Sequence, residues 1–328
     1  MNLDKHARLV EYQAFCEKTY VPIFSQPWWM DAVCEPENWD VWLYRQGNEV
    51  AAAMPYYLEN RQGGLYITKA CLTQNNGIIF RHNTDASPIA LAKFENKAIK
   101  EACEFIGQMK LAVYEQQFHY SFTNWLPFFW QKYEAIPRYT FVIEDTSSPD
   151  IVWSGISSKQ RSCIRKGERN ISEIREINPE DFYDLHEKVF LRQNLQCPFS
   201  REFWMRLWHA CKKNNAAESL CALTNKGEVA SLIFLTHDSR SMYHILGGSM
   251  PGLQSLDTYD ALIWHAIQLA GEKKLVYDFE GSMIERIAKS FREYGGTPKQ
   301  YFRIRKVFNP DIIRKEAEDK IRKLCPKV

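Results

Sequence analysis

The run LVYDFEGS at 275–282 holds two carboxylates in a setting where they could do chemistry. Residues 275–279 read as a short buried strand, with Asp278 and Glu280 two apart at its end. Side-chain alternation along a strand predicts that both carboxylates point to one face. Open α/β sheets bind ligands beyond the carboxyl ends of their strands, and a carboxylate there can orient or deprotonate an ammonium group. The competing expectation is an Asp278 that caps a neighbouring helix or pairs with a lysine. Ser282, three residues before Glu285, makes a capping-box pattern that predicts a helix start, with substrate contact as the alternative. His244, at the head of ILGGS, is either a base or an ordinary strand histidine. Gly247, Gly248 and Ser249 read as a loop before a helix near 256, whose backbone N–H groups could receive an oxyanion or a phosphate.

A cationic run, SSKQRSCIRKGER at 157–169, predicts a helix on which Arg161 and Arg165 share a face, as do Lys166 and Arg169. It reads either as a grip for phosphate or as a solvated helix face. On the last strand Tyr301 and Arg303 alternate with Phe302 and Ile304, facing either the same cleft or ordinary solvent. No histidine or acid accompanies Cys163 in the sequence as a nucleophile pair would require. The eight histidines lack H-x-H or H-E-x-x-H spacing, and the nine cysteines lack C-x-x-C, so neither a metal site nor a disulfide framework is expected.

These groups need a scaffold, and the surrounding pattern supplies one. Apolar residues at Leu256, Tyr259, Leu262, Ile263, Ala266, Ile267 and Ala270 mark a buried helical face, with Gly271 and two lysines as its stop. A second helix buries Ile284, Ile287, Ala288 and Phe291 and ends at Gly295–Gly296. Upstream, ESLCALTNKGEVASLIFLTH reads as strand, turn and strand, and SMYHILGG adds a third. The first half offers the same device: a hairpin turned at Gln46–Asn48, then a strand from Glu49 to Leu58. The echo of G-N-E-V-A at 47–51 in K-G-E-V-A at 226–230 points to a duplicated unit. Further strands are expected at 119–122 and 137–144, a helix at about 90–109, a linker at 147–150 and one helical stretch after it. The fold class is α/β (α+β), with two tandem mixed sheets flanked by helices. Domains are expected at 1–148 and 149–309, with a C-terminal helix at 310–328.

The run YDFEGS, a short helix, F-R-E-Y-G-G and an aromatic strand resemble the C-terminal module of the Fem-type (FemABX) peptidyltransferases, and equally their GNAT-superfamily acyltransferase relatives. The motifs that carry this lie at 159–166 and 278–296. The resemblance implies two GNAT-like (acyl-CoA N-acyltransferase) domains, the active site in the second, and a terminal helix returning to the first. It implies transfer of an acyl or aminoacyl group, from acyl-CoA or aminoacyl-tRNA, to an amine such as a cell-wall (peptidoglycan) peptide precursor. It implies no permanently bound cofactor. Its cleft would be walled by 244–252, 278–282 and 291–303, with Tyr259 and Phe291 among its side chains. Arg292 stands near the family's catalytic lysine, although Phe291 occupies the closest position. Two features depart from the pattern. The long coiled-coil insertion of some members is absent, and so is the Q/R-x-x-G-x-G/A signature of many acetyl-CoA enzymes, which leaves room for another donor. A rival reading keeps the fold but makes the protein a non-catalytic binder of a phosphate-bearing ligand.

Composition bounds both readings. The 328 residues, 45% hydrophobic and 14% aromatic, can fill two cores and exclude a disordered chain. A net charge of +2 gives no global polyanion signature, so any tRNA contact needs a local patch. The N-terminus lacks an apolar signal region and no run approaches a membrane span, so a cytoplasmic location is expected.

Overall fold

The structure is a computed structural model that describes residues 4–192 and 194–324, with side chains described as far as 319. Its elements run α1 (Lys5–Lys18), α2 (Pro27–Cys34), β1 (Trp39–Gln46), β2 (Glu49–Arg61), β3 (Gly64–Thr68), β4 (Ile79–Phe80), α3 (Pro88–Gln108), β5 (Val113–Gln117), α4 (Leu126–Trp130) and β6 (Glu134–Ile143). They continue with α5 (Pro149–Gly155), α6 (Ser158–Asn170), β7 (Ile171–Glu176), α7 (Pro179–Arg192), α8 (Arg201–Lys213), β8 (Ala217–Thr224), β9 (Val229–His237) and β10 (Ser241–Ser249). The last are α9 (Thr258–Glu272), β11 (Val276–Asp278), α10 (Glu285–Glu293), β12 (Thr297–Val307) and α11 (Pro310–Leu324). The chain divides into two units: residues to Arg138 together with those from Tyr301, and Tyr139–Gln300. The crossings fall within β6 and β12, earlier in the chain than the boundaries read from sequence, and α11 groups with the first unit. Among the described residues no helix is long and apolar enough to cross a membrane.

In the first unit the strand order is β1-β2-β3-β5-β12, with β4 on β2. The meander β1-β2-β3 is antiparallel and turns at Gly47, whose φ of +62° is what a tight hairpin demands. A crossover through α3 then brings β5 parallel to β3 (Tyr66 opposite Val113), and β12 lies antiparallel to β5. Ser87 caps α3, its hydroxyl accepting from Ala90 N–H, and Pro88 starts the helix. Ile99, Ala102 and Ile106 of α3 pack with Tyr44, Met54, Tyr56 and Tyr114. The strand expected at 119–122 lies instead at 113–117. Gln116 is the reason: it is buried, donating to Pro55 O and accepting from Tyr114 Oη, so a core position wears a polar residue and hides the alternation.

In the second unit the order is β6-β11-β10-β9-β8-β7. The hairpins β7 to β10 are antiparallel, with Gly227 at φ +78° in the β8–β9 turn. α9 then crosses over to place β11 parallel to β10, and β6 runs antiparallel to β11. Both units therefore repeat one plan: meander, helical crossover, parallel strand, antiparallel neighbour. A mixed run of strands flanked by helices thus occurs in each unit, in keeping with the α/β class read from the sequence. The core gathers Ile164, Ile233, Leu235, Leu262, Ile263, Ala266, Ile267 and Tyr277.

Local expectations fail at three places. The stretch from Pro149 forms two helices, broken at Ile156, where Ser157 caps α6 by accepting from Gln160 N–H. The supposed linker at 147–150 runs into the first of them. Gly271 does not stop α9, which continues to Glu272; a side chain there would put its Cβ 2.3 Å from Thr146 O, so this glycine serves a close approach of two backbones. Ile284 is 55% exposed and forms the N-cap position of α10, outside the apolar face assigned to it.

Candidate functional site

The site grows from the divergence of β10 and β11. They pair in parallel only where Ser241–Tyr243 meet Val276–Asp278, after which β10 continues alone on that side to Ser249. Phe279 N–H donates to Phe141 O, so the chain after β11 follows β6 and leaves β10. On its other edge β10 stays paired with β9. Met250 N–H donates to Ala230 O, and that bond sets the alternation of the ladder. Gly248 and Leu246 turn their main-chain groups to β9, whereas Gly247 and Ser249 turn theirs toward the side that β11 has vacated. The glycine stretch read as a loop is therefore the end of a strand, and alternation selects Gly247 and Ser249 over Gly248 as the exposed donors. A Cβ on Gly248 would meet Val189 of α7 at 2.7 Å, on the opposite face.

Three side chains line this edge in a chain of hydrogen bonds. His244 Nε2 lies 2.8 Å from Tyr259 Oη, and His244 Nδ1 lies 3.1 Å from Tyr277 Oη. His244 and Tyr259 are half-buried; Tyr277 is fully buried. Burial lowers the imidazole pKa to about 4, so the ring is neutral near pH 7. Burial also holds the phenol of Tyr259 above its ordinary value, hence protonated. The Tyr259 hydroxyl rests against Gly247, where any Cβ would sit 2.6 Å from Oη. Only glycine leaves this space open.

The acidic pair behaves differently from the period-two expectation. β11 ends at Asp278, and Glu280 follows in the left-handed region at φ +62°, so alternation no longer relates the two carboxylates. Asp278 is 4% exposed. Burial raises its pKa to about 6, against the opposing effect of bonds donated to Oδ1 by the Thr140 hydroxyl and by Glu280 N–H. Thr140 in turn accepts from Gly281 N–H at 3.0 Å, and a Cβ on Gly281 would lie 2.1 Å from Tyr139 O. Asp278 thus also organises the turn that ends β11. Ser282 caps no helix: its hydroxyl accepts from Ile284 N–H two residues on, and α10 starts at Glu285 without a side-chain cap. The capping box fails because Ser282 and Glu285 are separated by a local turn.

The cationic residues are mostly engaged in support. Arg161 Nη1 donates to the carbonyls of Trp153, Ser154 and Ile156 at the end of α5. Arg165 lies over the Trp153 ring at 5.3 Å, and Lys166 pairs with Asp257 at 3.0 Å; both remain exposed. Arg292 stands over Phe141 at 5.2 Å, and Phe291 stacks on Phe279 with ring centres 4.8 Å apart. Tyr301 and Arg303 belong to the first unit, where Tyr301 Oη donates to Gln117 Oε1 and Arg303 lies 3.6 Å from Glu115.

At the start of α9 the structure adds residues that the sequence reading passed over. Gly167 of α6 lies so close that a Cβ would be 2.2 Å from Asp257 O, and Asn170 Nδ2 donates to Leu256 O. Asp260, in the first turn, accepts from Gln160 Nε2 and Tyr294 Oη. Tyr277 also went unnoticed as a polar group, because in VYDF it reads as core filling. Nothing in a single sequence marks it as the partner of His244.

Residues 158–285 match the acetyltransferase (GNAT) domain family. The matched stretch runs from α6 to the first residue of α10 and so contains both diverging strands. Among solved structures the chain is similar to FemX, at 10% identity and a TM-score of 0.69, with 96% of this chain and 98% of that one covered. It is also similar to L-PGS from Bacillus licheniformis (12% identity, TM-score 0.51, 93% of each chain). A third is a tandem GNAT protein from the clavulanic acid biosynthesis pathway (10% identity, TM-score 0.50, 93% and 96%). At such identities these likenesses establish the tandem GNAT fold. No curated protein matches the sequence.

Proposed function

We propose that the protein is an N-acyltransferase whose second unit holds an acyl or aminoacyl group in the gap between β10 and β11 and presents it to an amine. The observation that carries this reading is the parting of the two strands, which turns Gly247 and Ser249 N–H toward the vacated side next to the Tyr259 hydroxyl. Attack of an amine on an ester or thioester develops negative charge on the carbonyl oxygen. Donors fixed beforehand at that oxygen are each worth about 10²–10³ in rate. The amine attacks directly, so no enzyme nucleophile is needed. Asp278 is the group proposed to take the amine's proton: its pKa of about 6 suits a base near neutrality, and both of its hydrogen bonds go to Oδ1.

The donor is the finer question. The positive end of α9 already carries Asp257 and Asp260, and α6 packs on it. A pyrophosphate brought there meets two carboxylates. This supports a donor whose phosphates bind elsewhere, and the Fem-type resemblance supplies one, an aminoacyl-tRNA, with a peptide-precursor amine as acceptor. The exposed Arg165 and Lys166 offer it a local cationic surface. The rival, a non-catalytic binder, draws support from Phe291 at the position closest to the family's lysine and from the neighbouring Arg292, which is occupied over Phe141.

The two readings separate in one assay. Purified protein is incubated with labelled aminoacyl-tRNAs or acyl-CoA thioesters and a set of amine acceptors, and amide products are read by mass spectrometry. Turnover that falls at least tenfold in Asp278→Asn, with donor affinity kept, is the expected result. Donor binding without any product would support the binder.

A further inference from the structure

The hydrogen-bond chain Tyr277–His244–Tyr259 has a direction, and the direction assigns it a task. Each end is a phenol, which can donate or accept, and the neutral imidazole between them must donate from one nitrogen and accept at the other. Two arrangements satisfy the heavy-atom distances. In the first, Tyr277 O–H donates to Nδ1, Nε2–H donates to Tyr259 Oη, and the Tyr259 hydrogen is free to point outward. In the second every arrow reverses, and the Tyr277 hydrogen must find an acceptor of its own.

Tyr277 is fully buried, and among the described residues its hydroxyl has no hydrogen bond other than the one to His244. The reversed arrangement therefore strands a buried donor without an acceptor, which folded proteins avoid because the lost hydrogen bond to water is not replaced. Tyr259 faces no such problem. It is half-buried, lying against Gly247 at the edge where β10 runs on without β11. We infer that the chain runs outward from Tyr277 and fixes the Tyr259 hydroxyl as a donor aimed into the gap, a built seat for a carbonyl or carboxylate oxygen of the bound group. This rests on the acyl-transfer reading for the identity of that oxygen, but the direction of the chain does not.

The same geometry says what the chain is not. A proton delivered outward would have to be replaced from Tyr277, leaving a phenolate sealed in the core, where burial holds that phenol well above its ordinary pKa. The chain orients a donor and keeps its protons. Tyr259 would touch the ligand, whereas His244 and Tyr277 act through it as positioning residues.

The test reads the tautomer directly. Nitrogen-15 NMR of the full-length protein at pH 7, assigned with His244→Gln, is expected to show His244 as the Nε2–H tautomer. Tyr277→Phe removes the donor to Nδ1, and is expected to shift the ring toward Nδ1–H or a mixture while leaving the fold intact. Tyr259→Phe is expected to leave the tautomer as Nε2–H, because Tyr277 still donates. Finding Nδ1–H in the unaltered protein, or no change of tautomer in Tyr277→Phe, would overturn the inference whatever the activity assay gives. Should the tautomer be Nε2–H and no acyl transfer be found, the direction stands and the acyl-transfer reading is the part that fails. If a transferable donor is found, Tyr259→Phe should lower kcat at least tenfold with little change in KM and no shift of the pH profile.

Discussion

The two units repeat one topology and differ in what they do with the edge beside the crossover strand. In the first, the edge beyond the end of β3 is taken up by a loop: Asn76 N–H donates to Gln117 O at 2.7 Å, Asn76 bridges Phe118, and its side chain donates to Phe24 O. Phe118, Phe122 and Phe128 then fill the space, with Gly77 pressed so close to Phe118 that a Cβ would lie 2.7 Å from the ring. In the second unit, among the described residues, no loop closes the edge, and the groups there are a histidine, a phenol, the main chain of Gly247 and Ser249, and Arg192, whose Nη1 donates to Ser249 O. The same plan thus gives a plug once and a polar gap once. The two units share the backbone division, and side chains decide whether the space beside it is filled or left polar.

That contrast can be broken in either copy. The largest effect is expected from Phe118→Ala, which empties a fully packed aromatic cluster; denaturant unfolding should show a loss of about 3–5 kcal/mol. Tyr259→Phe, at the corresponding edge of the second unit, should change stability by less than about 1 kcal/mol. Equal losses at the two positions would erase the distinction between plug and gap.

A middle-sized effect concerns Asp278. Its pKa is raised in the folded protein, so between about pH 4 and pH 6 the folded state binds more protons than the unfolded chain, and stability falls as pH rises through that window. The total is roughly 3 kcal/mol at most, at about 1.4 kcal/mol for each tenfold change in proton affinity. Asp278→Asn can keep accepting from Thr140 and Glu280 and should flatten the profile, as measured by urea midpoints at pH 4, 5, 6 and 7. An unchanged slope would place the buried proton elsewhere. The smallest effect is Lys166→Ala: its ion pair with Asp257 is exposed, so stability should move by less than about 1 kcal/mol. If a tRNA donor is used, the same change should reduce the salt dependence of binding by about one charge.

Much of this was legible in the residues. Gly47 and Gly227 marked the two hairpins, the E-V-A echo marked the repeat, and the apolar face of α9 was read from Leu256 to Ala270, of which Leu256 lies in a 3-10 turn before the helix. The failures share a cause: each depended on a partner far away in sequence. Gly271 looked like a helix stop until Thr146 was seen against it, and the strand at 113–117 was missed because its buried Gln116, bonded to Pro55 O, interrupts the apolar pattern. Arg161 read either as a phosphate grip or as part of a solvated face, and its guanidinium donates to carbonyls at the end of α5. At the site, His244 and the glycines could be picked out by type, whereas the Tyr277 contact and the choice of Gly247 over Gly248 depend on ladder geometry that only the fold supplies.

The acyl-transfer proposal requires the gap beside Gly247 to receive the group that is transferred. Single-turnover acyl transfer by the unaltered protein and by Gly247→Val, each shown to unfold cooperatively, tests this most directly. A valine there fills the space against Tyr259 Oη, and the expected rate is at least 100-fold lower. A Gly247→Val protein that transfers at the unaltered rate would contradict it.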